Sequence, residues 1–95
     1  MLNESFRYVD GVLHADSVRL PDLADAYGTP LYVYSLRRAL ANLRRIQRAF
    51  APLNAHIHYS AKANANLSLL QALTRAGAGI DAVSGGEIMR ALKAG

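Results

Sequence analysis

From Leu31 onward the chain alternates between short apolar runs and amphipathic stretches, and no other feature restricts its fold as strongly. Leu31-Tyr32-Val33-Tyr34 reads as a strand, apolar and aromatic on both parities. Ser35 is a good N-cap for the helix after it, which carries Leu36, Leu40, Leu43, Ile46 (or Gln47) and Phe50 as an inward stripe. Pro52 and Asn54 end that helix, and Ala55–Ser60 reads as the next strand. Asn64 or Asn66 then caps a helix with Leu67, Leu70 and Leu73/Thr74 inward, closed by Gly77 and Gly79. A strand over Gly79–Ser84 follows, and a last helix carries Ile88, Met89, Ala91 and Leu92. One step of this pattern, from Ile57 to Ala82, takes 25 residues.

Alternation of this kind predicts an α/β fold with parallel strands and right-handed crossovers. Two or three such units do not close. A (β/α)8 TIM barrel takes eight units and about 250 residues, and this chain has 95. Strands open on both sides also leave unpaired edges. The expectation is therefore the N-terminal portion of a longer protein, with poor solubility or self-association when isolated. Upstream, Ser5–Leu13 reads as a β-hairpin turning at Asp10-Gly11, with Phe6 and Tyr8 on one arm and Val12 and His14 on the other. A short helix over Pro21–Tyr27 ends at Gly28. Two segments are expected: 1–34, with hairpin, short helix and strand, and 35–95, with the βα units.

Composition narrows the function classes. Cysteine is absent, which excludes disulfide and thiolate–metal frameworks. No run reaches membrane-spanning length and no signal-peptide pattern opens the chain, so a cytoplasmic protein without a membrane partner is expected. The net charge is +4, and Arg37, Arg38, Arg44, Arg45 and Arg48 cluster on one helix. Such a cluster fits either a solvated face or a non-enzymatic basic module for nucleic acid or an acidic protein. No aromatic is interleaved to stack on bases, which favours the solvated face and no nucleic-acid partner.

In parallel α/β folds chemistry gathers at the carboxyl ends of strands. Lys62 follows the strand ending at Ser60, and no acidic residue lies between Asp25 and Asp81 to pair with it locally. A lysine desolvated at the end of a buried strand is a plausible Schiff-base nucleophile. Ser60 and His58 share its parity. The next strand end brings Asp81 and Ser84, then Gly85-Gly86-Glu87, so Lys62, Asp81 and Glu87 are expected at one pocket mouth. A plain salt bridge from Lys62 to Asp81 is an equally open reading of these residues. His56 and His58 are spaced as a metal pair, but no third ligand is evident, so polar lining residues are expected and no metal.

Tyr59-Ser60-Ala61-Lys62-Ala63-Asn64 closely resembles the Tyr-x-x-Lys-Ala-Asn signature of the fold-type III pyridoxal-phosphate decarboxylases. Gly28-Thr29-Pro30-Leu31-Tyr32-Val33-Tyr34 and the run from Gly77 to Glu87 resemble the branch of that family that acts on meso-diaminopimelate. Arg90-Ala91-Leu92-x-Ala94-Gly95 fits as well. The resemblance spans nearly the whole chain. It implies the first units of an alanine racemase-like barrel, with the hairpin and Leu31–Tyr34 joining a C-terminal β-domain. It implies pyridoxal 5'-phosphate as cofactor, with Lys62 its Schiff-base lysine, Ser60 and Asp81 beside it, and Glu87 in the cofactor-site network. It further implies decarboxylation of meso-diaminopimelate to L-lysine by a homodimer, the isolated piece being inactive. The phosphate loop, the partner of the pyridine nitrogen and the partner-subunit residues would lie beyond Gly95. Relatives acting on ornithine, arginine or carboxynorspermidine stay open. Alanine racemase fits less well, because its Gly-His-Gly is replaced here by Asn66-Leu67-Ser68-Leu69.

Overall fold

A computed structural model describes residues 4–95, which fall into two compact units divided between Arg38 and Ala39. The first unit is built on an antiparallel sheet in the order β1 (Phe6–Val9), β2 (Val12–Ala15), β3 (Val18–Arg19). Val9 pairs with Val12 across Asp10 and Gly11, whose φ values are 49° and 77°. Two positive φ values in a two-residue loop match the right-handed twist of the flanking strands. The hairpin runs on to Ala15, two residues beyond the expected end. Asp16, at φ 52°, then turns the chain into β3, a strand that the alternation pattern does not signal. The Asp16 amide donates to the Ser5 carbonyl at 2.6 Å and extends the β1–β2 pairing by one position.

Helix α1 (Leu20–Tyr27) has Pro21 in its first turn, and Arg19 pairs with Asp22 at 2.8 Å. Gly28, at φ 81°, follows it. The strand expected over Leu31–Tyr34 does not form. Tyr32 and Tyr34 are 86% and 66% exposed. A strand exists only with a ladder partner, and none is present for this run among the described residues. Ser35 is buried and does cap α2 (Leu36–Phe50): its Oγ accepts from the Arg38 amide at 3.1 Å and donates to the Asp16 carboxylate at 2.8 Å.

The second unit holds two parallel strands, β4 (His58–Ser60) and β5 (Gly79–Asp81), and the helices α3 (Leu67–Arg75) and α4 (Gly85–Ala94). Both strands are shorter than the apolar runs that encode them. Residues 55–57 precede β4, the Ile57 carbonyl accepting from the Gly79 amide at 2.9 Å, and β5 stops at Asp81 because Ser84 is recruited as the N-cap of α4. On α2, Leu43 is buried and Leu40 half-buried, and the next inward position is Gln47 rather than Ile46. The Gln47 amide donates to the Ala76 carbonyl at 3.0 Å, tying α2 to the turn after α3. A 3-10 turn at Ala51–Leu53 and a left-handed Asn54 finish α2.

Asn66, not Asn64, caps α3, accepting from the amides of Ser68 and Leu69. Leu70 and Leu73 face inward as expected, whereas Leu67 lies in the first turn and is exposed. The helix ends in a Schellman motif: Ala78 N donates to Leu73 O, Gly77 N to Thr74 O, and Gly77 takes φ 96°. Two small cores result, Leu43–Leu73–Ala78 and Ala61–Leu70–Ala94, with Tyr59 packed against both. Ile88, Met89 and Leu92 of α4 stay exposed. The architecture is thus mixed α/β with one parallel βα step; eight-stranded closure is not present in these residues. No helix among the described residues is long and apolar enough to cross a membrane.

Candidate functional site

The register of the parallel pair sets the site: His58 faces Gly79, Tyr59 faces Ile80, and Ser60 faces Asp81. Register partners in a parallel pair point to the same side of the sheet. Tyr59 and Ile80 therefore share the helix-covered face and pack on its cores. His58, Ser60, Gly79 and Asp81 share the opposite face, which carries the polar groups. The local sequence enforces this arrangement at Gly79. A Cβ there would lie 2.5 Å from the His58 ring, so any larger residue would require the imidazole to move from where it crosses β5.

Lys62 sits two residues beyond Ser60 on a 3-10 turn, Ala61–Ala63. The expectation of a desolvated lysine is corrected here: Lys62 is exposed. The chain leaves the sheet at Ala61, which takes the buried position itself, with no accessible surface. Nor does Lys62 form the alternative salt bridge. Among the described residues its amine has no carboxylate within ion-pair distance, although Ser60 and Asp81 are adjacent. Asp81 is exposed, and the Ser60 hydroxyl is buried without a hydrogen-bond partner. An orphaned buried hydroxyl costs free energy, on the order of 1–3 kcal/mol, unless something else meets it.

Glu87 is held locally. Its Oε2 accepts from Ser84 Oγ at 3.2 Å, its Oε1 from the Val83 amide at 3.4 Å, and its own amide donates to Ser84 Oγ at 3.1 Å. This is a variant of the capping box, with the carboxylate reaching the amide just before the N-cap, and Ser84-Gly85-Gly86-Glu87 carries the Ser-x-x-Glu spacing that announces it. Its carboxylate is turned to the helix end rather than to Lys62. Also unforeseen are the ties on the segment after Lys62, from the Tyr59 hydroxyl to the Asn64 carbonyl (3.0 Å) and from Arg90 Nη1 to the Ala65 carbonyl (3.2 Å). The tyrosine of a Tyr-x-x-Lys run is the available signal for the first; nothing local announces the second. Among the described residues no group of three or more His, Cys, Asp or Glu is placed to hold a metal ion.

Comparison with known proteins identifies the family. Residues 36–95 match the family model described as the pyridoxal binding domain of pyridoxal-dependent decarboxylases. A diaminopimelate decarboxylase of Neisseria meningitidis serogroup B is 47% identical over 83 residues, covering 87% of this chain and 20% of that protein. A crystal structure from Aquifex aeolicus superimposes with a TM-score of 0.91 at 44% identity, over 98% of this chain and 23% of that one. The structure of diaminopimelate decarboxylase from M. jannaschii in co-complex with L-lysine superimposes with a TM-score of 0.89 at 36% identity, over 97% and 23%. The chain spans about a fifth of the length of these relatives. On the family match and on these identities, the chain belongs to the pyridoxal-dependent decarboxylases.

Proposed function

We propose that this chain is the amino-terminal segment of an enzyme that removes carbon dioxide from meso-diaminopimelate to give L-lysine, with pyridoxal 5'-phosphate as cofactor. The observation that carries the reading is the Ser60–Asp81 register, which sets two polar side chains side by side just before the turn bearing Lys62. These residues fit the cofactor. They offer an exposed amine without a carboxylate partner and a buried hydroxyl without an acceptor or donor. When bound, pyridoxal phosphate supplies an aldehyde that condenses with an amine, releasing water, and a ring that accepts the electron pair left by a departing carboxylate.

The chain's own residues hold and orient. Lys62 Nζ is the attachment point. Ser60 Oγ presents a hydroxyl from the neighbouring strand end, and Asp81 places a carboxylate level with it. Glu87 orders the first turn of α4 through the capping box, and by that route fixes the strand-to-helix turn after Asp81. In the whole enzyme, segment 1–34 would join a C-terminal β-domain, segment 35–95 would open the barrel, and two subunits would complete the site.

The test uses the complete reading frame. Lysine and carbon dioxide should form from meso-diaminopimelate, and Lys62→Ala should abolish both without lowering thermal stability, because the side chain is exposed. Turnover of ornithine or arginine in place of meso-diaminopimelate would assign a different branch. Undiminished turnover by Lys62→Ala would sink the lysine assignment.

A further inference from the structure

We infer that Tyr59 and Arg90 are positioning residues that fix where the Lys62 amine stands, acting through the backbone of the segment that follows it. The inference rests on the reading of Lys62 as the cofactor-binding lysine and goes beyond it. Neither side chain belongs to the polar face. Tyr59 lies on the helix-covered side of β4, and Arg90 comes from α4, one repeat later in the chain.

A lysine on a 3-10 turn is poorly placed unless the turn is held, since such turns are short and their hydrogen bonds weak. This one is held at both ends. On the strand side, Ala61 is fully buried against Leu70 and Ala94. On the helix side, Asn64 is extended, at φ −166° and ψ 111°, so its carbonyl turns out of the helical ladder. The Tyr59 hydroxyl donates to that carbonyl at 3.0 Å, and Arg90 Nη1 donates to the next one, of Ala65, at 3.2 Å. Asn64 Oδ1 accepts from the Asn66 amide at 3.1 Å, and Asn66 starts α3. Among the described residues the two donors therefore take carbonyls that no backbone amide claims, one on each side of the Ala65 α-carbon.

The chemistry of Arg90 supports this role. Among the described residues it forms no ion pair, and its guanidinium meets the neutral Ala65 carbonyl. A guanidinium offers five donors in a rigid fork and specifies the carbonyl's place better than a water would. The tie also couples sites: α4 begins at the capping box beside Asp81, and its sixth residue reaches back to the lysine turn. Asp81 and Lys62 are thereby referenced to one helix. A misplacement of about 1 Å at a reacting group costs up to ~100-fold in rate.

The experiment follows capture of pyridoxal phosphate by the full-length apoenzyme, without amino-acid substrate. It reads the growth of visible absorbance after mixing, and the residue labelled on borohydride reduction. Tyr59→Phe and Arg90→Met should each slow capture about tenfold, and together about 100-fold, within the range set by displaced reacting groups. Arg90→Lys, which keeps a donor, should restore most of the rate. Wild-type capture rates in both Tyr59→Phe and Arg90→Met, with only a lower melting temperature, would overturn the inference and leave a structural role. Should Arg90→Met fail to fold, Tyr59→Phe decides alone, since it lacks a single hydroxyl. Lys62→Ala separates the two levels of the argument. If it captures the cofactor as wild type does, the lysine reading falls; if it does not capture, the positioning variants judge the inference.

Discussion

The two units hold their chains in different ways. The hairpin unit is specified by its turns: Asp10, Gly11 and Asp16 all sit at positive φ, and the strands simply follow. Its only buried apolar residue among those described is Ala15, while Ser5 and Ser35 are buried polar groups. The βα unit has the reverse character. Its strands are three residues each, and what places them is packing around Leu43, Leu70 and Leu73. Local backbone chemistry builds the first unit and side-chain burial builds the second. The candidate chemistry belongs to the second, where a rigid scaffold sets the strand ends. A packed helix layer restricts the backbone in all directions, whereas a turn restricts it only locally.

The largest effect that separates the two modes is expected at Leu70, the one large side chain with no accessible surface among the described residues. Leu70→Ala should cost about 2–5 kcal/mol by urea unfolding, the usual range for a buried leucine cut to alanine. Ala61 and Ala94 share its cluster and are too small to fill the gap. Because Ala61 precedes Lys62, the same variant should weaken cofactor capture. No described leucine of the hairpin unit is buried to this degree, so a loss of equal size from Leu13→Ala would break the distinction between packing and turn chemistry.

This contrast also explains what could be read in the sequence. The hairpin, α1, α3 and the parallel step were legible because turn dipeptides, caps and leucine spacing are local signals. Leu31–Tyr34 departs from expectation for a physical reason: its aromatic, β-branched composition suits a strand, yet a strand requires a partner that local sequence does not name. Lys62 follows the strand end as the spacing predicts but is exposed where burial is expected. The residue that enters the core is Ala61, and periodicity of two cannot show where a strand gives way to a 3-10 turn. For Glu87 the Ser84-x-x-Glu87 spacing is a local signal of helix capping, and the structure shows that contact. The Arg90–Ala65 tie spans 25 residues and had no local signature.

Two glycines turn the comparison into a finer test, since each is required for a different reason. Gly79 has an ordinary backbone, but a Cβ would come within 2.5–3.1 Å of three His58 ring atoms. Gly79→Ala should therefore cost roughly 1–3 kcal/mol, the scale of overpacking. Removing the ring in Gly79→Ala/His58→Ala should recover most of that loss, and failure to recover it would show that the backbone, not the ring, makes the demand. Gly11 is the opposite case. Nothing lies within 4 Å of its would-be Cβ, and only its φ of 77° excludes a side chain. Gly11→Ala should cost about 1–2 kcal/mol, the steric penalty of the left-handed region, read as faster amide exchange confined to β1 and β2. Gly11→Asn should lose less, because asparagine visits that region readily. Equal losses for alanine and asparagine would mean that something other than the turn dihedral governs the hairpin.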